Sequence, residues 1–244
     1  MEKDLTGRVR DYWTLRAGDF AAVKRNELRS EISGRWLAEM EAQLPRDRKL
    51  DILDAGTGSG YFAILLAQRG HRVTGIDLTP SMLEEAEAAA AQFGVSVRFL
   101  RMDVQATDFP DGSFDAVVSR NVTWTLPDPE KAYREWHRLL RPGGILLNFD
   151  ANYADNVRNQ NEKASLTGSD GVYGHVGLTP AMVEENAKIA LAMPASLHDR
   201  PRWDCKLAER IGFSEWDADP GVGRRVLREH DLADAPLFLF RAVK

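Results

Sequence analysis

The chain has 244 residues, 43% of them hydrophobic and 28% charged, the make-up of an ordinary globular domain rather than a disordered chain. Against 37 Asp and Glu stand 32 Lys and Arg, a formal charge of −5 that argues against a dedicated nucleic-acid binder. Cys205 is the only cysteine, so no intramolecular disulfide can form and a cysteine-ligated zinc site is disfavoured.

No apolar run approaches the roughly 20 residues of a bilayer span, and Met1-Glu2-Lys3-Asp4 lacks the basic start of a leader, so the expectation is a cytoplasmic chain with no membrane partner. Residues 6–43 are predicted to be helical, with Trp13, Leu15, Phe20, Leu28, Ile32, Trp36 and Met40 at helical spacing and a weak interruption at Ser33-Gly34. From residue 49 the character changes. Leu50, Ile52, Leu53 and Ala55 form a short apolar run that ends in a glycine cluster, the pattern of a buried parallel strand. Helix follows over 61–69, strand over 71–77, and Thr79-Pro80 opens another helix with a capping hydroxyl and a proline at its first position. Strands are predicted near 95–100, 114–119 and 145–149, with a helix between the last two that starts at Asp128-Pro129. Residues 151–200 break the rhythm with a polar, irregular stretch and one helical piece after Thr179-Pro180. A helix over 203–211 and strands over 213–218 and 237–243 finish the chain, and two strands without a helix between them predict an antiparallel hairpin at the sheet edge.

This alternation predicts an α/β fold: a Rossmann-like doubly wound sheet of seven strands, mostly parallel with an antiparallel last strand, plus a small cap insertion. The whole chain, 1–244, reads as a single domain, with an amino-terminal helical lid over 1–45 and a substrate cap over 151–200.

The stretch Asp54-Ala55-Gly56-Thr57-Gly58-Ser59-Gly60 follows a strand and opens a helix, so glycines let backbone approach a ligand while free amides present positive charge. Its G-x-G-x-G spacing differs from the G-x-G-x-x-G of dinucleotide sites. Together with Gly75-Ile76-Asp77 and Arg141-Pro142-Gly143-Gly144, it resembles the class I S-adenosylmethionine-dependent methyltransferases. The likeness is close over 49–150, extends to the last two strands by pattern only, and does not cover 151–200.

The resemblance implies S-adenosylmethionine as cofactor and S-adenosylhomocysteine as product, with Asp77 clamping the ribose and Leu78 and Met82 flanking the adenine. Asp103 and Val104 would read the adenine edge, although Asp103 also suits a plain loop turn. Asp54, the backbone of Gly56, Thr57, Gly58 and Gly60, and the Arg120 carbonyl would hold the methionine part. Tyr12 and Arg16 resemble a lid that closes on the methionine carboxylate; the other reading of the pair is a helix face tied down by packing. His175, in a Gly-rich polar segment, is either a general base or a loop residue. Asn121, Trp124, Tyr153, Tyr173 and His175 are the expected acceptor-binding residues.

Residues 119–124 lack the Asn/Asp-Pro-Pro-aromatic motif and the Pro-Cys nucleophile of base-methylating enzymes, which disfavours a nucleic-acid acceptor. Asp150 and Asn152 resemble the magnesium ligands of catechol-type methyltransferases, but Arg120 or Asn121 stands where those enzymes place an additional aspartate, so no metal is expected. The expected function is methyl transfer to N, O or S of a small molecule. The alternatives are an NAD-dependent oxidoreductase, whose ribose Asp77 would also suit, and a non-catalytic module that binds S-adenosylmethionine.

Overall fold

The computed structural model describes residues 4–159 and 174–244. Helix α1, Leu5–Leu28, begins where the Asp4 carboxylate accepts from Gly7 N, and α2, Glu31–Gln43, begins where Ser30 Oγ accepts from Ile32 N. The break thus falls at Arg29 and Ser30, and the expected interruption at Ser33-Gly34 lies inside α2. A serine with a free backbone amide to cap ends a helix more effectively than one interior glycine, which costs only about 1 kcal/mol.

The alternating part follows as β1 (Asp51–Ala55), α3 (Tyr61–Gln68), β2 (Arg72–Asp77), α4 (Pro80–Gln92), β3 (Arg98–Arg101), β4 (Phe114–Arg120), α5 (Pro129–Leu139) and β5 (Leu140–Asp150). Strand β5 starts five residues before the expected 145, because Leu140 already pairs with Phe114 across a register shift. Helices α6 (Tyr153–Asn159) and α7 (Pro180–Ala192) come next, then α8 (Arg202–Ile211), β6 (Glu215–Asp219), α9 (Val222–Val226) and β7 (Phe238–Val243).

Among the described residues, seven strands lie in the order β3-β2-β1-β4-β5-β7-β6, with β1 to β5 parallel and β7 antiparallel to both its neighbours. Strands β6 and β7 do pair antiparallel, but they are not a simple edge hairpin. The short helix α9 separates them and β7 lies between β5 and β6. Phe238, Leu239 and Phe240 of β7 are buried, whereas Glu215, Trp216 and Asp217 of β6 are exposed, so the apolar strand takes the interior place and the polar one the edge.

Neighbouring strand residues feed opposite faces, as the pleat requires. Ile52, Leu147 and Phe149 join Trp36 and Phe62 on one side, while Leu53 and Leu146 join Tyr133, Trp136 and Phe240 on the other. A third cluster of Tyr12, Trp124, Ile189, Ala190 and Met193 forms where α1 and α7 meet a 3₁₀ turn at Thr123–Thr125. Because β1 sits between β2 and β4, the connections leaving β1 and β4 diverge to opposite faces and leave a crevice beyond the strand ends.

Candidate active site

The loop after β1 sits in that crevice. Gly56 N and Thr57 N both donate to Ile76 O, at 2.9 and 2.8 Å, which ties the loop to the end of β2. Gly58 has φ +51, and its N–H donates to Asp77 Oδ2 at 2.9 Å while Thr79 N donates to Oδ1 at 2.9 Å. Both oxygens of Asp77 are thereby aimed by backbone, and the Thr79 hydroxyl and Leu78 N–H also act on the carboxylate. Burial raises the Asp77 pKa against those hydrogen bonds.

Asp54, at the end of β1, accepts on Oδ2 from Thr57 Oγ1 at 2.6 Å and from Ala63 N at 3.0 Å. Burial nevertheless pushes its carboxyl up to about 7. Asp103 Oδ1 accepts from Gln105 N at 2.9 Å and Gln105 Nε2 at 3.1 Å, so this acid does form a turn.

A cavity of about 220 Å³ opens beside these groups, and Tyr12, Asp54, Gly56, Thr57, Gly58, Asp77, Leu78, Met82, Asp103, Val104, Arg120, Asn121, Trp124, Tyr153 and His175 all line it. Two expected cofactor contacts do not. A Cβ on Gly60 would lie 3.1 Å from Ala86 Cβ and 3.2 Å from Phe99 Cζ, so this glycine serves the close approach of α3 to α4 and β3. Arg16 is fully buried, with Nη1 donating to Val176 O at 2.7 Å and facing Asp19 at 3.5 Å. Its guanidinium ties α1 to the segment before α7 and is not part of the lining. Tyr173 lies outside the described residues.

The wall opposite the strands is aromatic. Trp13 meets Tyr12 and Phe20 edge-on, each at 5.3 Å, and Trp124 packs on Tyr153 at 4.9 Å. Asn121 holds φ 57, a left-handed conformation uncommon outside glycine, and its N–H donates to Phe149 O at 2.8 Å. The Asp150 carboxylate accepts from Thr123 Oγ1, from Trp124 N at 3.0 Å and from Arg200 Nη1 at 3.2 Å, so it braces the turn that carries Trp124. Among the described residues no cluster of His, Cys, Asp and Glu has the form of a metal site.

Sequence reasoning missed Trp13, Phe20 and Lys24 as lining residues. They fall on one face of α1 at spacings of seven and four, a signal that was present, but a helical lysine ordinarily reads as solvated. Lys24 is instead buried against Glu27, and burial followed by the charge of Arg120 lowers its pKa to about 8. Glu27 also accepts from Trp36 Nε1 and Arg120 Nη1, both at 3.1 Å; burial acts to raise its pKa, but the charges of Arg120 and Lys24 outweigh that and lower it. The Arg120 guanidinium lies over Trp36 at 4.3 Å and Tyr61 at 4.9 Å.

His175 keeps an exposed ring, and its Nδ1 lies 3.5 Å from Arg16 Nη2. Burial, then the charges of Lys24 and Arg16, push its pKa down. Exposure limits how far burial can act, but both cations work in the same direction.

Residues 53–148 match the family model for a methyltransferase domain. Demethylmenaquinone methyltransferase of Thermus thermophilus is 45% identical over 98 residues, covering 39% of this chain and 44% of its own length. Ubiquinone biosynthesis O-methyltransferase of Chromobacterium violaceum is 32% identical over 139 residues, 56% of each. The chain spans about half, or less, of the length of the curated relatives it matches. In fold, it superposes on Haemonchus contortus phosphoethanolamine N-methyltransferase 2 in complex with S-adenosyl-L-methionine with a TM-score of 0.63 at 20% identity, over 86% of this chain and 52% of that one. An S-adenosylmethionine-dependent methyltransferase from Mesorhizobium loti gives 0.59 at 22% identity, over 85% and 96%. The sheet order, the loop at its switch point and these likenesses agree: the chain has the class I S-adenosylmethionine-dependent methyltransferase fold, with a methyltransferase domain at residues 53–148.

Proposed function

We propose that this protein transfers a methyl group from S-adenosylmethionine to a nucleophilic nitrogen, oxygen or sulfur of a small molecule, in the cytoplasm and without a nucleic-acid partner. The observation that carries this reading is Asp77, whose carboxylate is aimed by the Gly58 and Thr79 amides at the mouth of a glycine loop. That donor set fits the cofactor. A carboxylate held in place by backbone amides suits a ribose diol, and Leu78 and Met82 beside it suit an adenine ring.

The cofactor supplies a sulfonium-bound methyl group, whose leaving group needs no metal. The chain's part is to bind, align and exclude water. Asp103 and Val104 would meet the adenine edge, and Asp54 with the Gly56 to Gly58 backbone would hold the methionine end. Tyr12, Trp13, Trp124 and Tyr153 would wall off the reacting atoms, and α6 and α7 would cap the acceptor. His175 suits contact with the acceptor better than proton removal, because the neighbouring cations oppose its protonation. No helix among the described residues is long and apolar enough to cross a membrane. The relatives' names, demethylmenaquinone and ubiquinone biosynthesis among them, support a small acceptor.

Titration calorimetry tests the reading. S-adenosylhomocysteine is expected to bind one to one and NAD not to bind; the reverse pattern overturns the proposal in favour of an oxidoreductase. A labelled-methyl screen against a metabolite library then separates an enzyme from a binding module and identifies the acceptor.

A further inference from the structure

Behind the aromatic wall lies a buried cluster that the cofactor reading does not use. Arg200, just before α8, donates through Nε and Nη2 to Asp204 at 3.0 and 2.8 Å, through Nη1 to Asp150 Oδ2 at 3.2 Å and through Nη2 to Thr123 Oγ1 at 2.7 Å. Asn148 Nδ2 donates to Thr123 Oγ1 at 3.1 Å and to the Tyr133 hydroxyl at 2.8 Å, and that hydroxyl donates to Asp204 Oδ1 at 2.6 Å. All six side chains are buried. A buried ion pair is a weak source of stability, because the cost of taking its charges out of water offsets much of their attraction. What the cluster does supply is direction: a planar guanidinium reaches Asp150, Thr123 and Asp204 together from one place only.

Asp150 passes that direction on. Its Oδ2 accepts from Trp124 N at 3.0 Å and its Oδ1 from Ala151 N at 2.8 Å, so one carboxylate holds both the 3₁₀ turn that carries Trp124 and the chain that leads into α6 at Tyr153. The two rings pack on each other at 4.9 Å and line the cavity, whereas Arg200 does not. We infer that Arg200 is a positioning residue for the methyl acceptor: through Asp150 and Thr123 it fixes the Trp124 and Tyr153 rings against which the acceptor lies. The assignment of those rings to the acceptor rests on the function proposed above.

The test is a double-variant cycle read by near-ultraviolet circular dichroism, in which the Trp124 contribution is the difference between a protein and its Trp124→Phe counterpart. Arg200→Lys keeps the charge, but one ammonium cannot span Asp150, Thr123 and Asp204. It is expected to cut the Trp124 contribution by about half or more, while S-adenosylhomocysteine affinity by calorimetry stays within about threefold and so shows a folded cofactor site. With the acceptor found by the labelled-methyl screen, kcat/KM for that acceptor is expected to fall roughly 10-fold and the KM for S-adenosylmethionine to stay within about threefold. Asp204→Asn loosens the guanidinium from its far side without touching Asp150; it is expected to move both readings the same way, and it carries the test if Arg200→Lys does not fold. An unchanged Trp124 contribution, an unchanged acceptor kcat/KM, or an equal loss of S-adenosylhomocysteine affinity in the folded variants would each overturn the inference. Wild-type protein that binds no S-adenosylhomocysteine, or binds it and methylates nothing in the screen, would instead remove the proposed function, and the role of Arg200 with it.

Discussion

The two walls of the cavity are held by different means. On the sheet side, the acids are fixed by backbone and near neighbours: Asp77 by Gly58 N and Thr79 N, Asp54 by Thr57 and Ala63 N. On the helical side, Tyr12, Trp124 and Tyr153 come from three separate elements and meet through packed side chains, with Asp150 bracing the turn that carries Trp124. A wall anchored by backbone is complete once the sheet forms. A wall of docked side chains depends on how α1, α6 and α7 settle, so changes there should tell on the acceptor before they tell on the cofactor.

The largest expected effect lies on the sheet wall. Asp77→Ala removes two charge-assisted hydrogen bonds to the ligand, partly replaced by water, and is expected to weaken S-adenosylhomocysteine by about 2–4 kcal/mol, or roughly 30-fold to 1000-fold. Unchanged calorimetric affinity in a variant with native circular dichroism would break the contrast.

Asp54 sharpens it through pH. Its folded pKa of about 7 lies above the ordinary 3.8, so the stability linked to the neutral carboxyl is fully present below about pH 4 and is lost as pH rises through 7. Asp54→Asn keeps an acceptor for Thr57 and Ala63 and carries no charge. It is expected to raise the stability of the free protein at pH 8 by up to about 4 kcal/mol, with little gain at pH 4. Denaturant melts at the two pH values measure this, and an equal effect at both would show that burial does not strain the carboxylate.

The smallest effect on the cofactor belongs to the helical wall. Trp124→Phe keeps a ring against Tyr153, and S-adenosylhomocysteine affinity is expected to stay within about threefold while methyl transfer to the identified acceptor falls. Lost cofactor affinity with normal turnover would reverse the roles assigned to the two walls.

The same division explains what could be read from the sequence. The glycine loop, Asp54 and Asp77 were legible because each follows an apolar run by a fixed number of residues and its partners are local or on the next strand. Helix α1 was legible as a helix, and Tyr12 as a lining residue, but Trp13, Phe20 and Lys24 of the same wall were not. The helix buries Arg16 against Val176 O, and it buries Glu27 against Lys24 of the same helix and Arg120 and Trp36 of others, partners that the helix's own sequence does not show. Gly60 carried the look of the ligand loop, yet its neighbours are Ala86 and Phe99, contacts that only the folded sheet reveals. The end of the sheet misled for a related reason: adjacency in sequence suggested an edge hairpin, and burial of Phe238 to Phe240 decided otherwise.

The inserted position of β7 has a consequence for how the molecule is made. Ile145 pairs with Val243, partners roughly 100 residues apart, and among the described residues β6 reaches the sheet only through β7. During synthesis β1 to β5 can assemble as they emerge, but β6 must wait without a partner until the strand that joins it to β5 has left the ribosome. The polar face of β6, with Glu215 and Asp217, suits that interval, because a waiting strand with charged side chains is a poor template for pairing with another chain.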